Sequence, residues 1–168
     1  MQKVLLGAVL LTACSSTPAN LDLRGARIRL SWMRSFHPPI ELEVTPSANG
    51  PVLQVVAPDG FDQFTTVLST GQWGTLEQLL RDADFWSMPS AEPEKKTRTG
   101  EVQTGLDCST LRLEVVHGSQ VHWAKRWWHG DNPEFTTACV CLLRWSGLAV
   151  AETIHSYGLD HRLSRLCS

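Results

Sequence analysis

Apolar and polar positions alternate along the first part of the chain. Ile28, Leu30 and Trp32 fall on one face of a strand from Arg27 to Arg34, with Arg27, Arg29 and Ser31 on the other. His37-Pro38-Pro39 breaks that strand. Ile40, Leu42 and Val44 then alternate with Glu41, Glu43 and Thr45 in a second. Pro46 to Gly50 is a turn leading to a third strand, Val52 to Ala57, and Pro58-Asp59-Gly60 leads to a fourth, Phe61 to Leu68. Four short strands joined by tight turns make an antiparallel meander.

The period then becomes helical. Thr75, with Gln78 three residues on, matches a capping box and opens a helix through Leu76, Leu79, Leu80 and Ala83 to about Trp86, where Met88-Pro89 ends it. Ser90 to Thr104 is polar and reads as a long exposed loop. Leu111, Leu113 and Val115 mark a fifth strand, Gly118-Ser119 a turn, and Val121 to Trp127 a sixth strand. A second helix starts at Thr136 or Thr137 and runs to about Tyr157. Ala138, Cys141, Leu142, Trp145, Leu148 and Ala149 recur along it at helical spacing, and Gly158 stands just past its end. The expected fold class is α+β: an antiparallel sheet of about six strands in the order ββββαββα, with the second helix packed on one face.

The register of the last hairpin decides which side chains meet. A loop of Gly118-Ser119 alone sets Arg112 opposite Lys125, a like-charge pair. A loop of Gly118-Ser119-Gln120 gathers Leu111, Leu113 and Val115 with Val121, Trp123 and Trp127, so hydrophobic sorting favours it. That register brings Glu114, His122 and Arg126 onto one face as candidate ligand-binding residues. A carboxylate, an imidazole and a guanidinium there suit anion binding or acid–base chemistry. A solvated face with a cross-strand salt bridge has the same composition. The same register turns His117 away from His122, and no pair of Cys-x-x-Cys motifs is present, so no metal site is expected. Ser109 lies close to Asp107 but lacks the Gly-x-Ser-x-Gly setting of a hydrolase nucleophile. No glycine-rich phosphate loop occurs, and no cofactor is implied. The seven tryptophans read as core and capping residues.

With 168 residues, 42% of them hydrophobic, the chain has material for a single packed domain. Its formal net charge of -2 supplies no basic surface for nucleic acid.

The N-terminus carries an address. Met1-Gln2-Lys3 holds one positive charge, and Val4 to Leu11 is an apolar run too short to span a bilayer. Leu11-Thr12-Ala13-Cys14 resembles a bacterial lipobox. That resemblance implies cleavage before Cys14, a diacylglyceryl group on its thiol and an acyl chain on the new amine. Ser15, rather than an aspartate, resembles lipoproteins sent on to the outer membrane. The expected organisation is a signal peptide over 1–13, a lipidated tether over 14–25, one α+β domain over 26–160 and a tail over 161–168. The expected function is a lipid-anchored envelope protein facing the periplasm, a binding or accessory module whose partner is the membrane through its anchor. The alternative is a small-ligand-binding protein or enzyme using Glu114, His122 and Arg126.

Export leaves four further cysteines, Cys108, Cys139, Cys141 and Cys167, an even number that permits disulfides. Cys139 and Cys141 are two residues apart on one helix, about 200° around it, so they cannot pair with each other. Each remains open to Cys108 or Cys167.

Ser31-Trp32-Met33-Arg34-Ser35-Phe36, Gly105-Leu106-Asp107, Glu114, His122, Arg126 and Trp127 together resemble an uncharacterised bacterial family whose members are sporadically lipidated. Cys108, Leu111 and Val121 depart from that family's glycine, tryptophan and tyrosine. The resemblance implies a fold and no activity.

Overall fold

The computed structural model describes residues 23–34, 37–56, 64–92, 99, 109–128, 131–148 and 167. Six strands form one sheet: β1 (Arg27–Met33), β2 (Ile40–Thr45), β3 (Val52–Val56), β4 (Thr65–Val67), β5 (Thr110–His117) and β6 (Gln120–Trp127). Two helices, α1 (Thr70–Asp82) and α2 (Pro133–Trp145), and a 3₁₀ turn at Phe85–Ser87 complete the order ββββαββα. Every strand pair is antiparallel, and the spatial order is β4-β3-β2-β1-β5-β6. The class is therefore α+β, as the two periodicities imply.

The alternation reads directly onto the sheet. Ile28, Leu30 and Trp32 point inward and meet Val44, Leu42 and Ile40 of β2 on one side and Val115, Leu113 and Leu111 of β5 on the other. These residues are buried apart from the partly covered Ile40. Arg27, Arg29, Glu41 and Glu43 point outward. Trp73, Leu76 and Leu80 of α1 are buried, and α2 buries Phe135 through Leu143 and Trp145 where it packs against α1 and β5. A helix apolar on nearly every side belongs in such an interior position.

The helices begin and end elsewhere than the spacing suggested. Ser69 caps α1: its hydroxyl accepts from Gln72 N–H and the Gln72 side chain accepts from Ser69 N–H, a complete capping box. Thr75 lies inside the helix, donating its hydroxyl to the Gly71 carbonyl. Ser69 stands two residues past the end of β4, so the helix opens almost as soon as the strand ends. Trp86 falls in the 3₁₀ turn, beyond Asp84, whose φ of 50° breaks the helix. α2 starts at Pro133 under an Asn132 cap. It stops at Trp145, where Gly147 takes a φ of 74° just past the Ser146 cap. The expected extension to Tyr157 is corrected to that extent; Gly158 lies outside the described residues.

The hairpin register is the main correction. Arg112 pairs with Lys125, Glu114 with Trp123 and Val115 with His122, so the loop is Gly118-Ser119 alone. Gly118 has a φ of 59° in the first loop position, the glycine site of a type II′ hairpin turn. The like charges at Arg112 and Lys125 are relieved because Arg112 ion-pairs with Glu114 at 2.7 Å and lies 5.1 Å from the Trp123 ring centroid. His122, Ala124 and Arg126 now face inward, and Val121, Trp123, Lys125 and Trp127 face outward. His117 shares the inner side with His122, contrary to the expectation.

Cys141 is bonded to Cys167, with Cα atoms 5.0 Å apart, one of the two partners left open for it. Trp145 Nε1 donates to the Cys167 carbonyl at 2.9 Å, a second tie to that segment. Cys139 is a buried free thiol, its ionisation pushed well up by burial. Cys14 and Cys108 lie outside the described residues.

Candidate functional site

Arg126 is the most heavily buried charge in the sheet, 7% exposed. It occupies an inward position of β6 opposite Leu111. Nη1 donates to its neighbour's carbonyl, Lys125, at 2.8 Å, and Nη2 donates to the Pro89 carbonyl at 2.7 Å. The guanidinium also lies 6.0 Å from the Phe135 ring centroid. Burial pulls its pKa below the ordinary arginine value, and the Glu92 carboxylate opposes that shift.

These contacts bring the start of the polar loop onto the sheet. Lys125 N–H donates to the Ser90 carbonyl at 2.8 Å, Ala91 bridges Lys125 in parallel, and Trp127 N–H donates to Glu92 Oε2 at 3.0 Å. Ser90 to Glu92 thus run beside β6 as a short strap over part of its free edge. Covering an edge in this way blocks pairing with another chain. No local pattern in the sequence marks this strap; Arg126 at an inward strand position is its only trace.

A cleft of about 310 Å³ opens beside Arg126, lined by Asp84, Met88, Pro89, Glu92, Asp131 and Asn132 among others. Asn132 is committed at both ends of its amide. Oδ1 accepts from Phe135 N–H as the α2 cap, and Nδ2 donates to the Ala83 carbonyl. The cleft therefore combines carboxylates with a guanidinium whose Nη1 and Nη2 each hold a backbone carbonyl.

The three candidate residues do not form one cluster. His122 lies inward, 4.9 Å from the Phe85 centroid in edge-on contact and 5.8 Å from Trp86. Its Nε2 is buried and has no hydrogen-bond partner among the described residues. Glu114 is on the opposite side of the sheet with Arg112. The shared face expected for Glu114, His122 and Arg126 is corrected by the II′ turn, which shifts β6 by one residue and sends alternate side chains to the other side. Among the described residues, no group of three His, Cys, Asp or Glu is placed to hold a metal ion.

The outer face carries a charge ladder. Arg29 stands between Glu43 and Glu114 in neighbouring strands, Arg27 and Arg29 both bind Glu43, the second at 3.6 Å, and Arg112 binds Glu114. Such pairs, open to water on the arginine side, contribute little each. Glu114→Ala is therefore expected to cost under about 1 kcal/mol. Trp123→Ala, 36% exposed with the Arg112 guanidinium over its ring, is expected to cost about 1–2 kcal/mol. Urea titration of both variants checks this; a loss at Trp123 as large as a core tryptophan deletion would restore the alternative register.

Of the residues that carry the family resemblance, Ser31 to Met33 lie on β1, followed directly by Arg34. Glu114 lies on β5 and His122, Arg126 and Trp127 on β6. Ser35, Phe36 and Gly105 to Asp107 are outside the described residues. No protein-family model matches the chain, and none of the curated proteins matches it.

Proposed function

We propose that the chain is a lipid-anchored protein of a bacterial envelope, held at Cys14 on the periplasmic side of the outer membrane and acting there as a binding or accessory module. The observation that carries this reading is Leu11-Thr12-Ala13-Cys14 after a short apolar run. The Cys141–Cys167 disulfide supports it, because such bonds persist in oxidising compartments such as the periplasm. No helix among the described residues is long and apolar enough to cross a membrane, so a membrane location for this domain rests on the acyl groups. One chain binds a bilayer marginally and two or more bind it stably, since each buried methylene contributes about 0.8 kcal/mol.

Labelling cells with palmitate tests the anchor. The wild-type chain is expected to take up label and sediment with membranes. Cys14→Ser is expected to take up none and to remain as the uncleaved precursor. Label in Cys14→Ser, or an unlabelled wild-type chain in the soluble periplasmic fraction, contradicts the proposal.

A further inference from the structure

Leu23 and Ala26 are buried where the chain enters the domain. Leu23 N–H donates to Glu77 Oε1 of α1 at 3.1 Å, and Ala26 N–H donates to the Leu23 carbonyl at 2.8 Å. These bonds fix the point of entry at one pole of the molecule. The β2–β3 turn, the β5–β6 turn, the end of β4 and the first turn of α1 share that pole, because Arg27 pairs with Val116, Thr45 with Val52 and Val52 with Val67. A hollow of about 280 Å³ opens there, lined by Arg24, Ala26, Pro46, Pro51 and Trp73 among others.

The two poles differ in charge. Residues 46–51, 67–72 and 118–120, the turns of the entry pole, contain no charged side chain. Beside them, Arg27 is bound to Glu43, and Glu77 holds the Leu23 N–H. Arg24 and Arg144 add positive charge. α2 begins beside the end of α1, where Asn132 Nδ2 donates to the Ala83 carbonyl, and packs on that helix, so its last turn carries Arg144 back toward the entry pole. At the opposite pole Glu41, Asp82, Asp84, Glu92, Asp131 and Glu134 outnumber Arg34, Arg81, Lys125 and the buried Arg126. The described part of the domain is thus acidic at one end and free of exposed carboxylates at the turns of the other.

The distance to the anchor matters as well. Leu23 is nine residues after Cys14, a span that reaches at most about 32 Å. The poles are separated by roughly 26 Å, the length of the eight-residue β5. A domain standing on its acidic pole would use most of that reach to bring the chain back to the bilayer. It would also hold its carboxylates within a Debye length of the headgroups, about 8 Å at physiological ionic strength. Standing on the entry pole uses little of the reach and keeps those carboxylates well beyond that length.

We propose that the entry pole is a docking surface for the anionic headgroups of the bilayer to which Cys14 is tied. This inference deepens the anchored reading and rests on it. The uncharged β2–β3 and β5–β6 turns and the start of α1 face the headgroups, with Arg24 and Arg144 on the attractive side of the charge balance. The acidic pole, with the cleft beside Arg126, faces away from the membrane and is the end that the anchored domain displays.

The test uses the full lipidated chain in vesicles of phosphatidylethanolamine and phosphatidylglycerol, with and without a lipid whose headgroup chelates nickel. A nitroxide is attached at Asn49→Cys, in the β2–β3 turn, or at His37→Cys, between β1 and β2 at the opposite pole; both sites are exposed. Each variant also carries Cys108→Ser, and Cys139 is buried while Cys141 and Cys167 are bonded, so the introduced thiol takes the label. Nickel in the headgroup layer is expected to broaden the spectrum of the label at 49 several-fold more than that of the label at 37. Equal broadening, greater broadening at 37, or none at either site in a chain whose mass includes its acyl groups overturns the docking surface. A chain whose mass includes no acyl groups overturns the anchor, and the docking surface with it. The mass thus separates the two failures.

Discussion

Trp32→Ala is expected to lower the unfolding free energy by roughly 3–5 kcal/mol, the range for deleting a buried aromatic ring. Trp32 is 1% exposed, lies between Ile40 and Leu111 on the inner face, and stacks on Trp128 with centroids 5.0 Å apart. Removing the ring strips a face from Trp128 and opens a cavity where β1, β2 and β5 meet. Trp32→Phe is expected to be far milder. Trp32 Nε1 is buried with no hydrogen-bond partner among the described residues, and an unpaired buried N–H costs about 1–3 kcal/mol. Losing that N–H offsets part of the lost ring area. Urea titrations of both variants check the order; an alanine variant within about 1 kcal/mol of wild type would place Trp32 outside the core.

Arg126→Ala is the second large effect, expected at roughly 2–3 kcal/mol because it deletes a side chain that is only 7% exposed, removes the donor to the Pro89 carbonyl and leaves the Glu92 carboxylate without its nearby cation. Arg126→Met restores the packing of the side-chain stem and not the hydrogen bonds, so it is expected to recover only part of the loss. Hydrogen exchange reads the local consequence. The amides of Lys125 and Trp127 donate to Ser90 and Glu92, and both are expected to exchange faster in either variant as the strap loosens. Unchanged protection at those two amides would mean that the strap is held by something other than Arg126.

The legible parts of the fold are those written in a local period. Residues 27–33, 40–45 and 52–56 alternate cleanly because one face of each strand is buried and the other is wet, so these strands fall where the alternation places them. The last hairpin misled for a physical reason. Its outward positions on β6 hold Val121, Trp123 and Trp127, while its inward positions hold His122, Ala124 and Arg126. Ranked by hydrophobicity alone, that strand is inside out. What makes it stable lies elsewhere in the chain: Pro89 accepts from Arg126, Phe135 stacks near it, and Phe85 and Trp86 cover His122. None of these contacts has a sequence period. The glycine of the turn was the local clue, since a two-residue loop with Gly118 first fits a II′ turn.

The start of α1 shows a different limit. Ser69-x-x-Gln72 and Thr75-x-x-Gln78 match the same capping pattern, and nothing in the local pattern tells which of them opens the helix. The candidate cluster failed with the register, because a shift of one residue in a strand exchanges its two faces. The pairing of Cys141 with Cys167 lay within the alternatives left by helix geometry, which excluded only the bond between Cys139 and Cys141.

The most direct measurement of the anchored reading is the mass of the N-terminal peptide of the chain isolated from membranes. The expected peptide begins at Cys14 and carries a diacylglyceryl group and an amide-linked acyl chain. A peptide that begins at Met1, or one that contains Cys14 without lipid, would contradict it.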